Sequence, residues 1–308
     1  ASGMSEKAIL DVKGKKLQIS NLDKVLYSKV GFTKGQVIDY CIRIAPVLLP
    51  HLKDRPVTMK RYPDGVSGEF FYEKNCPTHR PKWVQTAEVW SEGNKRTMDY
   101  CVVQDLPTLV WAANLAALEL HTSLARKRNI ARPTVMVFDL DPGAPADMVQ
   151  CCQVGLWLRD LLAHMGLKSF AKTSGSKGLQ MYVPLNTPVT FDQTKAISRA
   201  LALYLEQEHP ALVTSNMSKA VRKGKIFVDW SQNDEHKTTI SVYSLRAREE
   251  PTVSTPVTWE EVEKCLKKKK AEFLKFRCEQ TLARVEKFGD LFAPLETLKQ
   301  KLPKKFQL

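Results

Sequence analysis

The run Thr134-Val-Met-Val-Phe-Asp-Leu-Asp141, broken by Pro142-Gly143, constrains this chain more than any other segment. Its β-branched and apolar residues predict a strand, and the Pro-Gly pair predicts where it stops. Side chains alternate along a strand, so Asp139 and Asp141 share one face, with Val135 and Val137 behind them. Two carboxylates at i and i+2 on an apolar strand are costly to desolvate unless a cation sits between them. Hard carboxylate oxygens suit Mg²⁺ or Mn²⁺. Asp-Pro-Gly is also good turn chemistry, so the pair alone reads equally well as an exposed strand end.

A third acid shifts that balance. Asp229 ends Lys225-Ile-Phe-Val-Asp, another apolar strand. If the two strands are neighbours, three carboxylates converge and can hold two divalent ions for in-line phosphoryl displacement. One ion activates an attacking 3′-hydroxyl and the other neutralises a triphosphate and its leaving group. The expected activity is nucleotidyl transfer, extending a nucleic-acid strand from nucleoside triphosphates.

A triphosphate also needs donors. Thr173-Ser-Gly-Ser-Lys-Gly178 offers hydroxyls, backbone N–H groups, close approach at its glycines and the charge of Lys177. It lacks the spacing of a P-loop, and taken alone it reads as a surface turn. Arg246 is a candidate clamp because its fork matches phosphate, against a plain salt bridge. His121 is a candidate phosphate contact, against a capping or core role.

The remaining pattern is α+β. A hairpin is expected from Ile9 to Ile19 around Gly14, a helix capped by Thr33 running to about Leu49, and a strand at Val57–Arg61. A buried helix is expected from Thr108 to about Ala125, with His121 in its last turns. Residues 134–245 read β-α-β-β-α-β-β, with helices at 147–165 and 191–208 and a final pair of strands at 225–230 and 238–245. That order predicts a mixed or antiparallel sheet, not a doubly wound parallel one. Helix follows from Thr258 to the end.

Composition limits the partners. The net charge of +14 fits nucleic acid or an anionic membrane surface. No apolar run approaches the roughly 18 residues of a membrane span. The run Lys267–Lys270 reads as a solvated helix face. The seven cysteines are scattered with no C-x-x-C pair, so a zinc knuckle is not expected. They read as reduced thiols of a cytosolic protein. Ala1-Ser2-Gly3-Met4 looks like a cloning scar before a start methionine.

Phe138-Asp-Leu-Asp-Pro-Gly143, Thr173-Ser-Gly-Ser-Lys-Gly178 and Val228-Asp-Trp-Ser-Gln-Asn233 with Tyr243-Ser-Leu-Arg246 together resemble the polymerase domain of bacterial DNA ligase D, in the archaeo-eukaryotic primase superfamily. The resemblance runs from about residue 8 to 300. It implies a primase-polymerase fold, with central mixed or antiparallel sheets flanked by helices, as one catalytic domain over 5–308. Residues of about 5–130 would bind the DNA end and template, and about 131–308 would carry the metal and nucleotide site. It implies gap filling and end extension in non-homologous end joining, a preference for ribonucleotides, and two ions of Mn²⁺ or Mg²⁺. Asp139, Asp141 and Asp229 match the metal ligands. Ser174, Lys177, His121 and Arg246 match triphosphate contacts, with Lys60 and Gln232 close to the incoming nucleotide. Asn21, Lys24 and Lys34 match a pocket for a downstream 5′-phosphate. Phe70 and Phe71 match aromatics that stack on the template. Arg222 matches an arginine that seats the primer end. Implied partners are DNA ends and gapped DNA, NTPs or dNTPs, Ku and an ATP-dependent DNA ligase, at the bacterial nucleoid in the cytoplasm, with no membrane.

One position departs from the family pattern. A histidine usually follows the Gly-Leu of the Gly-rich motif, and here Gln180 stands there. Glutamine can donate to a phosphate but cannot carry positive charge. Two other classes compete with the polymerase reading. A metal-dependent glycosyltransferase also uses Asp-x-Asp, but does not need Asp229, the Lys24/Lys34 pair or the positive charge. A non-catalytic DNA-end-binding module would not need three intact acids.

Overall fold

The N-terminal hairpin follows from its turn residues. In the computed structural model, which describes residues 7–306, β1 (Lys7–Val12) and β2 (Lys15–Ser20) pair antiparallel across Lys13 and Gly14. Both turn residues sit at positive φ. The segment read as a cloning scar lies outside the described residues. Strands β3 (Val25–Tyr27) and β4 (Phe32–Thr33) lead into α1 (Lys34–Leu52). Thr33 caps it: its hydroxyl accepts from the Gln36 N–H, and the Gln36 side chain accepts from the Thr33 N–H.

The first large sheet comes next. Its strands are β5 (Val57–Arg61), β6 (Phe71–Glu73), β7 (Gln85–Ser91) and β8 (Arg96–Val102), followed by α2 (Leu106–Asn114) and β9 (Ala117–Thr122). Here the structure corrects the expected helix over 108–125. The helix stops at Asn114, Ala116 turns the chain at positive φ, and the rest is a strand beside β5. An apolar run suits a buried helix and a central strand equally. The alternation of Leu118 and Leu120 with Glu119 and His121 is the strand signal, so His121 lies on a strand. The hairpin of β7 and β8 was not anticipated at all. A disulfide joins Cys76 to Cys101, correcting the expectation of reduced thiols for these two. The Cys76 N–H donates to Asp99 O and the Asn75 side chain accepts from the Asp99 N–H, which holds the two cysteines 5.0 Å apart at Cα. Cys41, Cys151, Cys152, Cys265 and Cys278 are free and buried.

The second sheet holds β10 (Val135–Pro142), β11 (Phe170–Thr173), β12 (Leu179–Pro184), β13 (Val213–Thr214) and β14 (Ile226–Asp229). Two helices, α3 (Met148–His164) and α4 (Phe191–Glu208), cross between its strands. Then come β15 (Thr239–Ile240), β16 (Pro256–Val257), α5 (Trp259–Lys268), α6 (Cys278–Phe288) and α7 (Pro294–Thr297). The order is β13-β14-β10-β12-β11-β16, with only β13–β14 parallel. The mixed α+β expectation therefore holds. The expected pairing of 225–230 with 238–245 does not. β15 is two residues long and joins β9 in the first sheet, giving the order β15-β9-β5-β8-β7. Ser241–Ser244 is a turn, with Tyr243 at positive φ, so Arg246 follows a bend rather than ending a strand. Lys267–Lys270, at the end of α5, is exposed as expected.

Central strand β10 is covered on both faces. Met136, Phe138 and Leu140 pack into the core beneath α3 and α4. Val135 and Val137 belong to the other core, shared with the first sheet. Phe138 and Leu140 are fully buried, and each contributes roughly 2 kcal/mol by burial. That packing fixes which face the aspartates share: the one turned towards the first sheet.

Candidate active site between the two sheets

Asp139 lies directly opposite Asp229 on β14 and opposite Gln180 on β12, and Gln180 lies opposite Lys172 on β11. Residues opposite each other share a face, so Asp229, Asp139, Gln180 and Lys172 form one polar row across four strands. Asp141 projects on the same face two residues further along. Burial, then Asp229 and then Asp141 push the Asp139 carboxyl up to about 6.

The other two carboxylates are held by neighbours. Asp141 accepts from Arg222 Nη1 at 3.0 Å. That arginine also donates to Met217 O and lies over the Phe227 ring. Asp229 Oδ1 accepts from both the N–H and the hydroxyl of Ser231. Among the described residues, no three His, Cys, Asp or Glu side chains already close around one point. The donor set nevertheless fits a divalent cation. Three hard carboxylates share a face, and a cation offsets both the burial and the repulsion that drive Asp139 towards protonation. The bonds to Arg222 and Ser231 engage Asp141 Oδ2 and Asp229 Oδ1 and leave the second oxygen of each carboxylate outside them.

A cleft of about 430 Å³ opens above this row, and Tyr72, His121 and Arg246 line its wall opposite the aspartates. The Gly-rich turn joining β11 to β12 forms its rim. Ser174 Oγ accepts from the N–H groups of Ser176 and Gly178, which leaves its own hydrogen free to donate. Lys177 is exposed on the same turn. Arg246 Nη1 donates to Ser174 O at 2.5 Å and its Nε to Glu119 at 3.2 Å. Glu119 was not anticipated, because its strand was read as helix. It also accepts from the Ala247 N–H and bonds His121 Nε2 at 3.0 Å. Burial opposes its charge, but His121 and Arg246 outweigh burial and hold the carboxyl at about 2. An ionised carboxylate only accepts, so His121 Nε2 is the donor. Burial lowers the proton affinity of His121, favouring the neutral ring. Gln232 reaches the cleft beside Asp229.

Lys60, Tyr72 and Glu119 form a second row, across β5, β6 and β9. Lys60 Nζ lies 4.2 Å from the centre of the Phe70 ring and 5.3 Å from that of Tyr72. Phe70, Phe71 and Tyr72 are all about half exposed. Phe71 pairs with Arg61, on the face opposite Tyr72, and the Arg61 guanidinium lies over its ring.

Asn21, Lys24 and Lys34 come together at the start of α1. The Lys24 N–H donates to Asn21 O and the Lys34 N–H to Lys24 O. Asn21 is at positive φ, which tightens that turn. Lys34 is buried, with Nζ donating to Ser20 O at 2.6 Å, whereas Lys24 is exposed and reaches Asp64. The sequence also passed over Lys172, which is fully buried behind Gln180.

A model of the LigD primase-polymerase domain matches residues 33–292. The multifunctional non-homologous end joining protein LigD of Mycolicibacterium smegmatis is 40% identical over 283 residues, covering 91% of this chain and 36% of that protein. The bifunctional LigD of Bacillus subtilis is 36% identical and is covered over 40% of its length. The chain thus spans little more than a third of these relatives. Among solved structures, the polymerase domain of Mycobacterium tuberculosis Ligase D in complex with DNA matches with a TM-score of 0.85 and 40% identity. The match covers 92% of this chain and 99% of that domain. No described helix is long and apolar enough to cross a membrane. The matched span and the level of identity show that this chain belongs to the LigD primase-polymerase family.

Proposed function

We propose that this protein is a DNA-repair polymerase of the primase type, filling gaps and extending ends in non-homologous end joining. The observation that carries this reading is the register of Asp139 against Asp229, with Asp141 on the same face, beneath a cleft walled by Arg246 and His121. The three carboxylates would hold two ions of Mn²⁺ or Mg²⁺, which supply charge neutralisation and activation of a 3′-hydroxyl. The free hydroxyl of Ser174, with Lys177 and Arg246, binds the triphosphate of an incoming NTP or dNTP. Arg246 is pre-set for this by Glu119, which fixes its fork. Neutral His121 donates or accepts without adding charge. Gln232 and Lys60 border the nucleotide. The 3′-oxygen attacks the α-phosphorus, the bond to the β-phosphate breaks, and pyrophosphate leaves.

Phe70 and Phe71 offer exposed rings to unpaired template bases. Asn21, Lys24 and Lys34 bind a downstream 5′-phosphate, and Arg222 exchanges Asp141 for the primer end. Preference for ribonucleotides, and Ku and an ATP-dependent ligase as partners, belong to the same reading. Three acids gathered on one face favour an enzyme over an end-binding module. The test is extension of a labelled primer on gapped, 5′-phosphorylated DNA with Mn²⁺. Asp139→Ala and Asp229→Ala are expected to abolish extension. Extension by both variants at the wild-type rate would remove the metal-site assignment.

A further inference from the structure

A lysine without an acid partner lies behind the aspartates. Lys172 is fully buried on β11, and its two hydrogen-bond partners are both neutral. Its Nζ lies 2.5 Å from Gln180 Oε1 and 2.6 Å from Ser254 Oγ. Burial, then Arg246, lowers its proton affinity well below that of a free lysine. A buried amine in such a place is unfavourable unless its hydrogen bonds matter.

The direction of those bonds is determined. The Ser254 hydroxyl donates to Thr173 O at 2.7 Å, so it can only accept from Lys172. Lys172 therefore donates to Ser254 and, with a second hydrogen, to Gln180. An ammonium and a neutral amine both satisfy this, since each has at least two N–H groups. The clamp also orients the Gln180 carboxamide. Its oxygen faces β11, so its amide hydrogens face β10, where Asp139 is its register partner. Directly opposed residues of an antiparallel pair stand about 4.5–5.5 Å apart at Cβ, which brings that amide alongside the carboxylate. An amide turned the other way would press an oxygen against Asp139.

We propose that Lys172 is a positioning residue, which clamps Gln180 so that its amide donor holds Asp139 ready for a divalent cation. The idea rests on the metal-site reading above. Partners one step removed from a metal ligand fix its orientation, and their loss typically weakens metal binding by about 10- to 100-fold.

The test is binding of Mn²⁺ to metal-stripped protein without nucleotide, followed by the electron paramagnetic resonance signal of free Mn²⁺, beside melting curves and primer extension. Lys172→Met keeps the stem and removes the donors, and is expected to bind Mn²⁺ about 10-fold more weakly. Gln180→Ala should lose a similar factor, and the double variant should bind no more weakly than Gln180→Ala alone. Wild-type affinity in Lys172→Met, or losses that multiply in the double variant, would overturn the proposal. If Lys172→Met does not fold, Ser254→Ala gives the same comparison. It adds no charge and removes the second anchor of Lys172, so Mn²⁺ affinity should fall, and unchanged affinity would overturn the clamp. A wild type that neither binds Mn²⁺ nor extends primers sinks the metal-site reading itself. A wild type that does both, with Lys172→Met unaffected, sinks only the role of Lys172.

Discussion

Asp139 and Asp229 face each other across adjacent antiparallel strands, so each carboxylate stands in the other's field. Like charges directly opposite destabilise a strand pair. The cost shows in Asp139, whose carboxyl burial and Asp229 push up to about 6. Removing one charge should therefore stabilise the metal-free fold. Asp229→Asn is expected to gain on the order of 1 kcal/mol, raising Tm by roughly 1–3 °C for a chain of this length. Added Mn²⁺ should raise the Tm of the wild type and leave that of the variant in place. Melting curves with and without Mn²⁺ decide it: a variant that melts lower than wild type without metal speaks against repulsion as the cause.

Gly178 makes a different contribution, through contact. A Cβ there would land on the carbonyl oxygen of Leu140, between the two aspartates of β10, and 3.4 Å from Pro142 Cδ. The Gly-rich turn touches the strand of Asp139 and Asp141 only because this position has no side chain. Gly178→Ala should force turn and strand apart, costing about 1–3 kcal/mol by overpacking and lowering primer extension at least about 10-fold, the scale of a small misplacement in a site. Gly93→Ala, with nothing within 4 Å, is the control. Equal activity and Tm in the two variants would show that the approach is not needed.

The aspartates were legible because their signal is local. Alternation put Asp139 and Asp141 on one face, and apolar neighbours made that face costly without a cation. Which strand lies beside β10 is not local, so the register of Asp139 with Asp229 was only a condition in the sequence. The same holds for Lys172 and Gln180. They meet because a five-residue turn, Ser174–Gly178, sets Thr173 opposite Leu179. β9 was misread because Leu118 and Leu120 belong to a run that is apolar enough for a helix. Its correct period, with Glu119 and His121 on the other face, was present but short. Arg222 reaches Asp141 from 81 residues away, and Cys76 and Cys101 are 25 apart. Spacing alone announces neither contact.

The helix α7 is tied to α1 by charge. Glu296 bonds His51 at 3.2 Å, Arg55 at 3.2 Å and Arg126 at 2.7 Å, and Asp290 bonds His51 at 2.7 Å. Burial opposes the Glu296 charge, but Arg55, His51 and Arg126 hold its carboxyl at about 2, below the ordinary 4.5. Its contribution is then present above about pH 4.5 and lost as the pH falls towards 2. Burial also opposes the charge on His51, yet Asp290 and Glu296 raise it above the ordinary 6.5. That contribution is full below 6.5 and fades as pH rises through the raised value. The cluster should stabilise most between about pH 4.5 and 6.5. Glu296→Gln is expected to cost on the order of 3 kcal/mol there, by leaving two arginines unpaired, and to flatten the acid limb. Urea midpoints measured across pH are the check, and parallel curves for variant and wild type would contradict the assignment.

Lys34 would give the proposed 5′-phosphate pocket a pH dependence. Burial, then Lys24 and Arg61, lower its ammonium to about 8 from the ordinary 10.5. A bound phosphate dianion would restore it, so the charged form is favoured in the complex. In the free protein Lys34 loses its proton as pH rises through about 8, and binding above that must take the proton up again. Preference for a 5′-phosphate over a 5′-hydroxyl should be level between about pH 6.5 and 7.5, fall by up to about tenfold per pH unit above 8, and decline below about pH 6 as the phosphate itself takes up a proton. Lys34→Met should lose both the preference and its slope. Lys24→Ala should weaken the preference but move the midpoint upward, because Lys24 is one of the charges that depress Lys34. Extension of paired gapped substrates, differing only in that phosphate, reads the ratio directly. A ratio constant across pH in the wild type would mean that Lys34 serves Ser20 alone, as a buried anchor for α1.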